Sequence, residues 1–394
     1  MTFYSAAQPT SLKTSYGAND IIDFQVQPGL GRSIVPGSFR FSGQIATQVL
    51  KPNGTWRAIN SKDYLQVDAF AGIHSIVRSI NTQVNSRTIE NTQLYPRVVS
   101  MMRQATNTLN SLNTDSTLIS EICGTVNNFQ LIGTVHTEDM PSSTAFLSSF
   151  SMLPMNCLNM ASGQLSQKKF QNIQMSFTLA DALEIFYTSR KPEDNYMLDD
   201  ETGYTSVRYA IFNPQLDWVE IAGTTSETVV LPVKELFQQT ISSQSSYLNI
   251  TCPALYNAVS MSFLAQEKQN SLFHNNNLCE KIYGIDSIAD GESGDARGSV
   301  EILINANDTV IPYPIQTYQE IAINYLKSLN GNSNKNVILN QSLSNVLSFG
   351  IGFAMLTSSF DRVAVNLKID ATAYKDRLIP QTDAFIYTNS FVQI

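Results

Sequence analysis

Histidines, cysteines and clustered carboxylates are the side chains that would carry chemistry in this chain, and their spacing does not favour a catalyst. The three histidines, His74, His136 and His274, fall in no HExxH or other short ligand pattern. His274 and Cys279 flank an Asn-rich stretch, but a zinc site needs about three or four convergent ligands. They therefore read as a loop histidine and an ordinary thiol. His136 closes an apolar stretch and reads as a strand-edge residue. Cys123, Cys157, Cys252 and Cys279 are far apart and form no CxxC pair, as expected of reduced thiols in a core. Gly29-Leu-Gly31-Arg has two glycines, but Ile34 stands where a dinucleotide-binding loop needs its third, so a turn over Pro28–Gly31 is predicted. No GxxxxGK[ST] or G-x-S-x-G occurs.

Two acidic stretches remain. Asp286-Ser-Ile-Ala-Asp290-Gly-Glu292-Ser-Gly-Asp295 could offer oxygens to calcium, yet its spacing is not that of an EF-hand and the closing bidentate Glu is missing. Glu193-Asp194 to Asp199-Asp-Glu201 follows Arg190-Lys191-Pro, and a glycosidase would need two such carboxylates facing each other across a cleft. Both read as solvated loops. Basic pairs are limited to Lys168-Lys169 and Arg190-Lys191, without the interleaved aromatics of a single-strand-binding groove. No catalytic, cofactor-binding or metal-ligating residue is assigned, and no cofactor is expected.

The elements that would position any site are mostly short strands. Ile21–Val26, Ser38–Val49, Phe129–His136, Phe170–Phe177, Val207–Phe212, Val300–Ile304 and Val363–Ile369 are apolar-rich segments set between Gly, Asn, Ser and Asp clusters. In the last, Val363, Val365, Leu367 and Ile369 share one face, the period of two of a half-buried strand. Many such strands at regular spacing indicate sandwiches or barrels. Helical signals are few. Thr317-Tyr-Gln-Glu320 is a capping box followed by Ile321, Ala322, Tyr325, Leu326 and Leu329, and Asn330-Gly331 supplies the stop. Pro96 opens a second helix with Val99, Met102, Ala105 and Leu109 in its stripe. A third is predicted from Leu179 to Tyr187, opened by Thr178, and a short fourth at Leu343–Leu347.

Asn91-Thr-Gln-Leu-Tyr-Pro96 and Asp308-Thr-Val-Ile-Pro-Tyr-Pro314 both lead through Tyr-Pro into a helix, and Tyr-Pro works as a strand-to-helix joint. The repeated joint points to two similar domains in tandem. The small, polar Ala222-Gly-Thr-Thr-Ser-Glu-Thr marks the boundary, giving domains at 1–222 and 223–394.

Composition agrees with this reading. The chain has 394 residues, 43% hydrophobic and only 15% charged, with a net charge of -8. That excludes a disordered chain, and the lack of basic excess argues against a coat that neutralises phosphates. The first twenty or so residues lack the charged start and apolar centre of a signal peptide, and no run approaches the ~18 apolar residues of a membrane span. The four N-x-S/T sequons at Asn53, Asn249, Asn307 and Asn340 are accordingly read as unused.

The order of these segments resembles the double jelly-roll major capsid proteins of icosahedral DNA viruses, the lineage of tectiviruses, adenoviruses and virophages. Asp20–Val26 with Val35–Ile45 is similar to the opening strands of the first jelly roll. Ala71–Ser86, Thr88–Asn91 and Tyr95-Pro96 are similar to the strand, turn and helix of that domain. Leu231–Leu248 with Ala258–Leu264 looks like the start of the second, and Val300–Ile315 with Tyr318–Leu329 looks like its middle strands and inserted helix. The resemblance implies an all-β fold of two tandem eight-stranded jelly rolls with short inserted helices. It also implies a homotrimer of pseudo-hexameric outline, made in a host cell without a secretion signal and built into a virion shell. Neighbouring capsomers, penton and minor capsid proteins are the implied partners. No specific nucleic-acid contact is expected. The absence of a basic arm fits the internal lipid membrane that much of this family carries. The Asn- and Ser-rich stretches Asn270–Asn277 and Asn330–Asn336 and the acidic Lys191–Glu201 would be outer loops. The alternative is a two-domain β-sandwich carbohydrate-binding protein or glycosidase, for which sparse tryptophan, Trp56 and Trp218, is unfavourable.

Overall fold

The computed structural model describes residues 1–58, 65–67, 71–106, 147–188, 206–225, 227–241, 247–251, 258–267, 299–306, 309–313, 348–352, 363–370 and 382–394. The chain divides into two compact units, one of Met1–Ser100, Leu109–Leu231 and Gln393–Ile394, the other of Met101–Thr108 and Pro232–Val392.

In the first unit the strands are β1 (Thr2–Ala7), β2 (Ile21–Val26), β3 (Arg32–Ile34), β4 (Arg40–Leu50), β5 (Trp56–Ala58), β6 (Leu65–Val67), β7 (Val77–Val84), β8 (Arg87–Thr92), β9 (Leu147–Met152), β10 (Leu165–Ser166), β11 (Ile173–Leu179), β12 (Phe186–Thr188) and β13 (Ser206–Ala222). Setting aside those of three residues or fewer leaves eight. In rank order along the chain, they form one sheet of order 1-8-3-6 (β1-β13-β4-β9) and another of order 2-7-4-5 (β2-β11-β7-β8). All these pairings are antiparallel. This is the jelly-roll path, in which distant strands pair so that both sheets close over one core.

The second unit repeats it. Its strands are β14 (Val230–Ile241), β15 (Tyr247–Thr251), β16 (Ala258–Glu267), β17 (Ser299–Ala306), β18 (Thr309–Tyr313), β19 (Ser348–Gly352), β20 (Val363–Asp370) and β21 (Thr382–Gln393). They form sheets β14-β21-β16-β19 and β15-β20-β17-β18, again 1-8-3-6 and 2-7-4-5. The chain thus folds as two tandem eight-stranded jelly rolls.

The core of the first unit follows from alternation. Ile22, Phe24 and Val26 on β2 are buried in step with Ile173, Met175, Phe177 and Leu179 on β11. Across the sandwich Phe41 of β4 stacks on Phe177 with centroids 4.8 Å apart, and Phe24 and Phe150 meet Phe41 edge-on at 5.9 and 5.4 Å. Aromatic pairs in these geometries add to simple area burial. Leu231 and Val233 of β14 are buried with the same period of two.

Three sequence expectations need correction. The first jelly roll opens not at Asp20 but with β1, whose six residues pair Thr2 to Ala7 with Ile221 to Leu216. Val207–Phe212 does not stop before Asn213-Pro214: β13 runs on to Ala222 through a bulge between Phe212 and Gln215, where Asn213 takes φ 48°. The bulge absorbs the proline that would otherwise break a central ladder. The helix predicted from Leu179 to Tyr187 shrinks to one turn, α2 (Ala182–Ile185), counted after α1 (Tyr95–Thr106). Thr178 is held in the β11 ladder by Ile21 and Ser79, and the cap belongs to Asp181. Its Oδ1 accepts the Leu183 N–H at 2.9 Å, while Glu184 Oε2 accepts the Asp181 N–H at 3.3 Å. Phe186–Thr188 then pairs with Leu65–Val67 instead of continuing the helix.

Helix α1 starts at Tyr95-Pro96 as expected and buries Val99 and Met102; it is described to Thr106, and Leu109 lies outside the described residues. Phe129–His136, the helices expected at Thr317–Leu329 and Leu343–Leu347, and the loops at 191–201, 270–277, 286–295 and 330–336 lie outside the described residues.

Candidate assembly surface

The chemistry-bearing residues that are described serve the scaffold. His74 is buried in the 3-10 turn Gly72–Ile76 that leads into β7. Its Nδ1 lies 2.8 Å from the Tyr95 hydroxyl, which also accepts the Met155 N–H at 2.9 Å. The first residue of α1 is thereby tied both to the turn before β7 and to the segment after β9. Cys157 is buried and forms no disulfide. Burial first, and then the adjacent Glu90 carboxylate, push its thiol well above the usual value, which disfavours the thiolate that nucleophilic chemistry needs. Glu90 Oε2 accepts the Cys157 N–H at 2.9 Å, and Glu90 Oε1 accepts the Thr92 hydroxyl at 3.1 Å. Among the described residues no three His, Cys, Asp or Glu side chains converge as metal ligands would. His136, His274, Cys123, Cys252 and Cys279 lie outside the described residues.

The glycine pair singled out in the sequence makes the predicted turn, closed by Arg32 N–H to Gly29 O at 3.1 Å, with Gly31 at φ 70°. Its role is to seat a buried carboxylate. Glu220 of β13, only 2% exposed, accepts the Trp218 indole N–H at 2.8 Å and the Ser5 hydroxyl at 3.3 Å on Oε1. On Oε2 it accepts the Gly29 N–H at 3.2 Å and Arg32 Nη1 at 3.3 Å. A Cβ on residue 29 would stand 2.9 Å from Arg32 Cδ and 3.1 Å from Glu220 Oε2, which explains the glycine. The Arg32 guanidinium in turn lies 3.6 Å over the Phe3 ring. Residues from β1, the turn and β13 are therefore locked around one carboxylate. This cluster was not legible in the sequence, because its members are separated by up to 215 positions.

Around β1 the surface is open. Tyr4 is 86% exposed, and grooves of about 580 and 480 Å³ run along the two faces of the β1-β13 pair. The first is lined by Tyr4, Ser38, Arg40, Leu153 and Asp217, the second by Ser5, Gln25, Arg32 and Glu220. Neither tryptophan offers a bare platform for a sugar. Trp218 is buried and bonded to Glu220, and the Trp56 ring is covered by the Arg208 guanidinium at 4.1 Å.

No protein-family model matches the chain, and no curated protein sequence matches it. Solved structures do. A chain of the 3.5 Å cryo-EM structure of the Sputnik virophage aligns with a TM-score of 0.61 at 10% identity, covering 100% of this chain and 86% of that one. The Faustovirus major capsid protein gives 0.59 at 8% identity, with 100% and 90% covered. The mavirus major capsid protein gives 0.52 at 10%, with 99% and 90% covered. At these identities the likeness is one of fold, and it extends over both jelly rolls.

Proposed function

We propose that this chain is a major capsid protein, the repeating structural subunit of an icosahedral virion shell. The observation that carries the reading is one eight-strand path, 1-8-3-6 over 2-7-4-5, occurring twice in a single chain. The whole-length likeness to the virophage, Faustovirus and mavirus structures supports it. Three copies of a chain with two similar sandwiches present six alike bricks, so a threefold particle acquires a nearly hexagonal outline and tiles. We take 1–222 and 223–394 as the two domains.

The chemistry of the chain suits that role. With 15% charged residues, large interfaces can dry at little desolvation cost. The net charge of -8 keeps free capsomers soluble before assembly. Penton and minor capsid proteins would be its further neighbours in the virion. The chain is assigned no catalytic role, and the covered tryptophans count against the carbohydrate-binding alternative.

Negative-stain images of the purified protein test the proposal. Flat particles of near-hexagonal outline are expected. Uniform small globules at every concentration and salt condition would overturn it.

A further inference from the structure

Among the described residues, strand β1 is an unguarded sheet edge. It is bonded to β13 along one side, and none of the described residues takes up the N–H and C=O groups of its other side. Sheet edges in soluble proteins are normally blunted by charge, proline or a bulge. Thr2-Phe-Tyr-Ser-Ala-Ala7 has no charge, proline or glycine, and its six pairs with β13 run without a register shift. The alternation of its side chains places Tyr4 and Ala6 beside Val219 and Asp217 on one face, and Phe3 and Ser5 beside Glu220 and Trp218 on the other. Each face carries one of the two grooves. An incoming strand would gain main-chain hydrogen bonds at the edge and drop alternate side chains into both grooves.

We infer that β1 pairs antiparallel with β1 of a second copy of the chain, joining the β1-β13-β4-β9 sheets of two subunits about a twofold axis. Charge selects this occupant. Two copies at -8 each repel, and a segment free of charge is where they can meet without placing like charges opposite one another. A self-paired strand is also the isologous contact that twofold symmetry requires. Six paired residues fall well short of the ~1,200 Å² that a stable free complex buries. The contact therefore acts between trimers, where many weak joints add up, and not within one. The inference rests on the capsid reading above.

The test uses the intact chain. Tyr4→Cys and Ala6→Cys, alone and mixed, are assembled and treated with a thiol oxidant. Facing residues in an antiparallel pair bring Cα atoms within about 5.5 Å, close enough for a disulfide. A dimer on a non-reducing gel, absent from the parent chain, is expected. Tyr4→Lys should raise the concentration needed for particles to assemble about tenfold, leaving the trimer and its melting temperature unchanged, whereas Leu12→Lys, exposed outside the strand, should behave as the parent. No dimer from any cysteine variant overturns the self-pairing. So does poor assembly of Tyr4→Lys without cross-linking, which would place a different segment on the edge. A parent that never forms trimers removes the capsid reading itself, a result visible before any variant is made.

Discussion

Glu220 shows how much one buried carboxylate can organise. It holds the indole of Trp218, the turn at Gly29, Ser5 of β1 and Arg32. Glu220→Ala strands these donors, and we expect a loss of about 2–4 kcal/mol in chemical denaturation. Arg32 is about one-third exposed, so Arg32→Ala should cost far less, about 0.5–1 kcal/mol. The reverse ranking would mean that the guanidinium, not the carboxylate, is the anchor. Asp20 makes a smaller, pH-dependent contribution. A hydrogen bond from Lys13 Nζ at 2.8 Å, and then the Gly17 N–H, hold its carboxyl below the usual value. A lowered folded-state pKa stabilises the protein fully above the ordinary carboxylate range, and the gain is lost as pH falls through the lowered value. Asp20→Asn should thus melt slightly below the parent at neutral pH, by under ~1 kcal/mol at this partly exposed site. The difference should shrink and vanish as pH falls below the ordinary carboxylate range and through the lowered value, and a gap that persists in strong acid contradicts the assignment.

Helix α1 is positioned by a side chain and not only by its proline. The Tyr95 hydroxyl joins the turn before β7 to the segment after β9. Tyr95→Phe keeps the ring and should still cost about 1–2 kcal/mol by removing a partner of the buried His74 Nδ1 and of the part-buried Met155 N–H; a melting temperature equal to the parent's would remove this role from the hydroxyl. Such ties explain what the sequence could and could not reveal. β2, β4, β11 and β20 were legible because one face of each is apolar at a period of two. β1 was not, because its residues alternate only between half-buried and exposed, leaving no apolar stripe to read. The run of β13 beyond Phe212 was hidden by Pro214, since a bulge has no short sequence signature. The helix after Thr178 was overestimated because a hydroxyl before an apolar run is also what a strand end offers, and the ladder bonds of β11 outcompete it. The Glu220 cluster joins three distant segments, a relation that only the folded topology creates.

At the scale of the molecule the same strand path is used twice, and repetition is the property a tile needs. The two passages share little sequence pattern beyond Tyr-Pro: Tyr95 begins helix α1, and Tyr313 closes strand β18 opposite Ile302, with the residues that follow it outside the described ones. What is repeated is the pairing order, which tolerates wide substitution as long as alternation survives. That tolerance accounts for whole-length likeness to capsid folds at about one identical residue in ten. The most direct test is the mass of the purified chain in solution, measured by light scattering behind size exclusion. The account predicts a stable particle of about 131 kDa, three times 43.6 kDa; a species that stays at the mass of one chain at every concentration would contradict it.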